Sequence, residues 1–299
     1  LTKRIQADAV TIEANLRNHV DRLAGLIGPR TLDNPRMIKA TVDYLRQQWQ
    51  QINYVVSDES FETHKSTAVN LVTQREGNRR TSDIVLLGAH YDTTAKTPGA
   101  DDNASAVAVM IEVSRLLRDH DAARTARYVA FACEEAPYFN IGEMGSQHHA
   151  RTAKAKGEKI LAMLCLEMVG YFRDEAGSQK VPASIPRFLH RLFPQRGNFL
   201  AAVGNIPSWG LAWRFRRGFK RGTRLPLFTI ALPERIQEIR RSDNSSFWDQ
   251  DYPALMLTDT SFLRNPNYHL ASDTPDTLDY GRMTDVTLGV ASAMQYLLG

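Results

Sequence analysis

The chain of 299 residues is 43% hydrophobic and 23% charged, with a net charge of +4. This is the balance of a globular protein, not of a disordered or fibrous one, and the length suits one large α/β domain. No apolar run of about 18 residues is present, so nothing in the sequence reads as a membrane-spanning helix. Much of the positive charge is local. Arg214, Arg216, Arg217, Lys220, Arg221 and Arg224 lie within eleven residues, and without them the chain would be slightly acidic. Trp209, Trp213, Phe215 and Phe219 interleave with these cations. The stretch reads as a solvated surface segment or, more sharply, as an amphipathic helix that contacts anionic lipid, nucleic acid or a protein partner. No nucleic-acid-binding motif accompanies it, so no nucleic-acid partner is expected.

Residues 1–27 carry Ile5, Ala9, Ile12, Leu16, Val20 and Leu23 at spacings of three and four, an amphipathic helix that Gly28-Pro29 ends. Asn34-Pro35 opens a second helix, with Met37, Ile38, Val42, Leu45 and Trp49 on one face. Ile52 to Val56 and Ala68 to Thr73 read as strands, and Gly77 to Arg80 as a turn before a strand at Ile84 to Leu87. A helix over 104–118 follows, then a strand over 126–132, a helix from Gly145 to about Lys156 and a strand over 160–168. This alternation predicts βαβ units and a three-layer α/β/α fold around a mixed, mostly parallel sheet. Residues 173–235 are the least regular part, with a strand expected at 199–203 and a helix at 207–218. Strands at 227–232 and 254–258 and a helix over 283–298 complete the chain. Without an internal repeat or a low-complexity linker, residues 1–299 read as a single domain, in which 173–235 forms an insert that shapes specificity. Cys133 and Cys165 sit in apolar strand-like runs with no Cys-x-x-Cys spacing, and read as buried free thiols.

Acidic and imidazole side chains gather at the ends of the predicted strands. His90 and Asp92, Asp101 and Asp102, Glu134 and Glu135, and Glu167 each follow such a strand, and His269 lies in the loop Asn265-Pro266-Asn267-Tyr268-His269. The carboxyl ends of strands are where open α/β sheets build their sites. One acidic residue after a strand is usually a helix cap or a solvated charge, and Asp101 to Ser105 alone could be capping. Several carboxylates converging on one cleft repel one another, and cations offset that cost. A His among carboxylates suggests a metal site, with zinc as the ion. Two divalent ions sharing a bridging carboxylate are one solution for hydrolysis, provided that one carboxylate stays off the metals to take a proton from water. The pair Glu134-Glu135 suits that division, because adjacent residues point in different directions. His148 and His149 are also adjacent on a predicted helix and point apart, so they do not read as a second metal site.

The pattern resembles peptidase family M28, the co-catalytic zinc aminopeptidase type. The matching pieces are Gly88-Ala89-His90-Tyr91-Asp92, Pro98 to Ser105, Glu134-Glu135, Leu166 to Tyr171, Ser242 to Trp248, and Tyr268-His269 followed by Asp273-Thr274-Pro275-Asp276-Thr277. The resemblance implies that Asp101 bridges two zinc ions and that His90 and Glu167 help to hold separate ions. Glu135 and His269 would complete the ligands of the other zinc with Asp101. Glu134 would be the general base and later the proton donor to the leaving amine. Asp92 would hydrogen-bond His90 and orient it. A strained cis-type peptide is implied after Asp101. Three positions depart from the family pattern: Glu167 stands where Asp is frequent, Asn244 where His is common and Ala106 where Gly is common. The resemblance further implies a peptide substrate, removal of N-terminal residues and an extracytoplasmic (periplasmic or secreted) location. Two rivals accompany it. A glutaminyl-cyclase-like enzyme would carry a single zinc and transfer an acyl group, and a non-catalytic binding relative would keep the fold without the chemistry.

Overall fold

The computed structural model describes residues 8–299. Ile5, the first residue of the apolar pattern read in the N-terminal helix, lies outside the described residues. Asp8 caps helix α1 (Ala9–Val20) by accepting hydrogen bonds from Val10 N and Thr11 N. A wider turn over Asp21–Ile27 continues it until Gly28, at φ 78°, reverses the chain. Pro35 opens α2 (Pro35–Gln51), with Leu45 and Trp49 buried. The chain then gives β1 (Val56–Glu62), β2 (Thr67–Arg75), β3 (Arg80–His90), α3 (Ala106–Leu117), β4 (Arg124–Phe131), a short α4 (Tyr138–Ile141), α5 (Gly145–Ala155) and β5 (Lys159–Glu167). After a long irregular excursion come β6 (Leu200–Asn205), α6 (Trp209–Gly222), β7 (Leu227–Leu232), a short α7 (Asn244–Trp248), β8 (Ala254–Thr258) and α8 (Tyr280–Leu298).

Among the described residues the strands form one eight-stranded sheet in the order β1-β2-β4-β3-β5-β8-β6-β7. The centre is parallel, β4 with β3, β3 with β5 and β5 with β8. Antiparallel pairs lie outside it, at β1 with β2, β2 with β4 and β6 with β8, while β6 and β7 run parallel. Alternate residues of the central strands feed two cores. Val85, Leu87 and Ala89 of β3 pack on the side of α1, α3 and α8, whereas Ile84 and Leu86 pack on the side of α5 and α7. This period of two, on strands buried on both faces, produces the three-layer α/β/α arrangement.

One expectation shifts. Ile52 to Val56 is not a strand: α2 runs to Gln51 with Ile52 as its cap, and the strand begins at Val56. Phe61 alone is buried in β1, because an edge strand with one wet face carries few apolar residues. Within 173–235 the strand expected at 199–203, the helix at 207–218 and the strand at 227–232 are present as β6, α6 and β7, which form a crossover unit.

Candidate metal centre

Every predicted site residue sits at the carboxyl edge of the parallel strands. His90 and Glu167 are the last residues of β3 and β5, and Glu134 and Glu135 follow β4. The chain turns sharply at these ends. Cys133 (φ 61°), Met168 (φ 50°) and His269 (φ 59°) all adopt left-handed backbone, a conformation that costs non-glycine residues roughly 1–3 kcal/mol and concentrates at functional sites.

Two groups of potential ligand atoms converge there. His90, Asp102 and Glu167 form one, and Asp102, Glu135 and His269 the other, each with its atoms within 4.8 Å of one another. Asp102 belongs to both. Its Oδ1 is 3.5 Å from His90 Nε2, and its Oδ2 is 3.1 Å from His269 Nε2. Glu167 Oε2 is 3.3 Å from His90 Nε2, and Glu135 Oε1 is 3.3 Å from His269 Nε2. One carboxylate thus faces two clusters with one oxygen each. Three of the converging atoms, His90 Nε2, Asp102 Oδ1 and Glu135 Oε1, are buried without a hydrogen-bond partner. Buried polar atoms are rarely left unpaired, and here they point at one another. Imidazole nitrogen and carboxylate oxygen at this spacing fit zinc.

The position shared by the two groups falls to Asp102, and the expectation for Asp101 is corrected. Asp101 turns away: its Oδ1 accepts from Gly170 N at 2.9 Å and its Oδ2 from Asn265 Nδ2 at 2.7 Å. Neighbouring side chains diverge, and the extended backbone of Asp102 (φ −105°, ψ 87°) aims its carboxylate into the cleft. The cis peptide is likewise Asp102–Asn103, one residue later than expected. A second correction concerns sharing: His90 and Glu167 belong to the same group, not to separate ones. Glu134 lies in neither group, with its Oε2 3.9 Å from His90 Nε2.

Supporting contacts fix this geometry. Asp92 grips the backbone after β4, its two oxygens accepting from Glu134 N and Glu135 N at 3.1 Å each. His90 Nδ1 faces the Asp92 carbonyl at 3.2 Å and the Asp92 carboxylate at 3.5 Å. Both neighbours are acceptors, so Nδ1 carries the proton and Nε2 faces the cluster. The expected partner of His90 is therefore in place, but the carboxylate chiefly holds the two glutamates. Ser242 Oγ donates to Glu167 Oε2 at 2.6 Å.

Two supports carry no role in the sequence reading. Asp273 accepts from both Asp101 N (2.9 Å) and Asp102 N (3.1 Å), clamping the turn that presents Asp102. It opens the stretch Asp273-Thr274-Pro275-Asp276-Thr277, and only its position after His269 marks it. Arg30 is buried, and its guanidinium donates to the carbonyls of Tyr91, Leu23, Gly28, Pro98 and Gly99. It ties the end of β3 to the Asp102 turn, and nothing in its sequence neighbourhood signals that. Asn244 is buried, and its Nδ2 donates to Ile239 O, so it props a loop instead of facing the ligands. His148 stacks on Phe61 while His149 Nδ1 meets Glu59, which sends the two rings apart.

Electrostatics show the demand for positive charge. Burial pushes Glu134 well up, reinforced by Glu167, Glu135 and Asp243 against the pull of His90. Burial and the Asp102 charge push Glu135 up to about 7. Burial alone would raise Asp102, but the imidazoles of His269 and His90 beside it outweigh that and hold the carboxyl well below the usual range. Burial opposes a proton on His269, yet Asp102 and Glu135 overcome it and lift the imidazole to about 10. His90 shows the same contest, and its carboxylate neighbours win. A divalent cation relieves this crowding.

The cleft opens into a broad groove of about 1070 Å³ bordered by Asp102, Glu134, Glu135, Glu167 and His269. Beside Glu167 lies an apolar chamber of about 120 Å³, walled by Phe199, Val203, Phe228, Ile230 and Met256. The Tyr268 ring stacks on His269 with centroids 3.8 Å apart and borders both spaces.

Known proteins resemble this chain in sequence and in fold. Residues 70–198 match peptidase family M28. YfbL of Escherichia coli K12, an uncharacterized protein, is 32% identical over 287 residues, spanning 93% of this chain and 86% of its own. Aminopeptidase YwaD of Bacillus subtilis is 36% identical over 112 residues, 37% of this chain and 24% of its own. Among solved structures, the LapA aminopeptidase of Legionella pneumophila superposes with a TM-score of 0.74 at 20% identity, covering 100% of this chain and 77% of its own. The glutaminyl cyclase of Fimbriiglobus ruber has a TM-score of 0.69 at 18% identity, over 98% and 97% of the two chains. At those identities the superpositions speak for the fold. The matched family model and the near-full-length relative make the conclusion plain: this chain belongs to peptidase family M28.

Proposed function

We propose that the chain is a zinc-dependent aminopeptidase that holds two ions, one through His90, Asp102 and Glu167 and the other through Asp102, Glu135 and His269. The observation that carries this reading is Asp102, whose two oxygens serve one group each while Glu134 stands outside both. Zinc in such a site supplies Lewis-acid polarisation of the scissile carbonyl and makes water a nucleophile near neutral pH. The protein's own part is positional and acid–base. Glu134 takes a proton from the attacking water and returns it to the leaving amine, a shuttle suited to a carboxyl whose affinity for protons burial has raised. Asp92 fixes Glu134 through its backbone N–H, which holds the base against the cleft. The carboxylates also attract the free ammonium of an N-terminal residue, and the chamber beside Glu167 receives its side chain. Its aromatic and aliphatic wall favours a leucine-like residue over a charged one.

The test joins a metal count with one substitution. Protein purified without chelator and re-equilibrated with zinc should hold close to two ions per chain and hydrolyse leucyl substrates. Glu134→Gln should keep the metal and lose at least a hundredfold in kcat, within the usual range for general acid–base catalysis. Full activity in that variant would remove Glu134 from the mechanism. A single tightly held ion, with cyclisation of N-terminal glutamine, would assign the chain to the cyclase reading. No metal and no hydrolysis would leave a binding protein.

A further inference from the structure

Helix α6 carries a surface that the hydrolytic site does not use. Its inner face is packed: Leu211, Ala212, Phe215, Gly218 and Phe219 are buried, and the helix lies against α8. The approach is close. A Cβ on Gly218 would come within 2.6 Å of Ala293 Cα, and one on Gly289 within 2.3 Å of the Phe219 ring. So α6 is seated in one rotation, and its outer face cannot turn inward. On that outer face lie Trp209, Trp213, Arg214, Arg217, Lys220 and Arg221, all exposed. At 3.6 residues per turn they share one arc of about 140°.

Large aromatics are seldom left in water in pairs. Trp209 is 55% exposed and Trp213 53%, and Ile206, just before the helix, is 59% exposed. Beyond this apolar step the arc is purely cationic. The sequence has no acidic residue between Glu175 and Glu234, and among the described residues no carboxylate pairs with Arg214, Arg217, Lys220, Arg221 or Arg224. The nearby acid on α8, Asp285, is taken by the Thr223 hydroxyl at 2.6 Å. Arg217 lies over the Trp213 ring and Arg221 over Tyr296.

We propose that the outer face of α6 docks the protein on an anionic lipid surface. Indole rings settle at the boundary between headgroups and acyl chains, and cations beside them pair with lipid phosphates. Ile206 and the two tryptophans supply the inserting edge, a role for which a nucleic-acid backbone offers no partner. The orientation is compatible with catalysis. Ser208 Oγ accepts from Ala254 N, at the start of β8, so Trp209 sits at the sheet end remote from Glu167 and Thr258. α6 then runs back alongside the strands, and a membrane lying against it leaves the groove at the strand ends open to the side.

The experiment is flotation of the full chain with vesicles of phosphatidylcholine alone or with phosphatidylglycerol, read together with tryptophan emission. Of the four tryptophans, Trp49 and Trp248 are buried, so a vesicle-induced blue shift reports Trp209 and Trp213. The expected result is binding to the anionic vesicles only, with a blue shift, reversed by high salt. Triple charge reversal, R217E/K220E/R221E, should weaken partitioning by about a hundredfold or more. W209S/W213S should abolish the shift. Both variants should hydrolyse peptides normally, which shows that they fold. Failure to bind anionic vesicles, equal binding to neutral ones, or tighter binding to a DNA duplex lost in the same charge variant would each overturn the proposal.

Discussion

The two neighbouring aspartates of the turn before α3 make opposite predictions, and their separation is the sharpest test of the site. Asp102→Asn removes one of the two oxygens and the negative charge shared between the groups of His90 and His269. Loss of a residue that merely supports a ligand lowers metal affinity by about 10–100-fold, so loss of the shared ligand itself should exceed that. Asp101→Asn acts elsewhere. Burial and the neighbouring Asp259 push the Asp101 carboxyl well up, and an amide reproduces its shape without the charge. The Asn265 amide, now donating at 2.7 Å, would face another donor. One buried hydrogen bond lost costs about 1–3 kcal/mol, or a Tm lower by roughly 2–4 °C for each kcal/mol in a chain of this size. The assay is zinc per chain after dialysis against a mild chelator, with thermal unfolding of both variants in excess EDTA. Asp102→Asn should lose zinc and activity, and Asp101→Asn should keep zinc within tenfold while melting earlier. The reasoning is refuted if Asp101→Asn empties the site and Asp102→Asn leaves it loaded.

Two further outcomes follow from packing and charge. Burial pushes Glu135, Asp243 and Asp273 up to about 7, above their unfolded values near 4. In that window the folded state binds more protons than the unfolded state, so stability falls as pH rises from about 4 through 7. Protein stripped with EDTA should therefore melt at lower temperature at pH 8 than at pH 5, and zinc at pH 8 should restore the loss by binding the folded state alone; a flat Tm–pH profile of the stripped protein would count against the crowded carboxylates. Gly218→Ala places a methyl within 2.6 Å of Ala293 Cα, and overpacking of this kind costs about 1–3 kcal/mol, so the variant should melt several degrees earlier with kcat unchanged.

The sheet was legible because its central strands are buried on both faces and read as apolar runs between turn residues. The edge strand β1 was not, since Val-Ser-Asp-Glu-Ser-Phe-Glu has one wet face and one buried side chain. The site was legible as positions: His90, Glu134, Glu135, Glu167 and His269 all project from strand ends or the loop that follows them. What sequence could not rank was orientation. Asp101 and Asp102 are chemically identical neighbours, and only the backbone of the turn decides which faces the cleft. That backbone is set from far away, by Asp273 across 171 residues and by Arg30 across 69. Supports of this kind act through main-chain groups, which every residue possesses, so they leave no mark on the segments that they hold.

Main-chain contacts also allow so much negative charge to persist at one place. Asp92 and Asp273 are themselves carboxylates, yet each spends both oxygens on two consecutive backbone N–H groups of the ligand loops. Such paired amide contacts satisfy a buried carboxylate without a cation and leave the second row of acids fixed in position. The inner row has no such partners. His90 Nε2, Asp102 Oδ1 and Glu135 Oε1 are buried and unpaired, which is costly for any polar atom and most costly for a charged one. Asp92 and Asp273 are satisfied by backbone amides, whereas these three atoms leave unmet demand in the two groups that share Asp102. That division, more than the count of acids, distinguishes a metal centre from a merely acidic cleft.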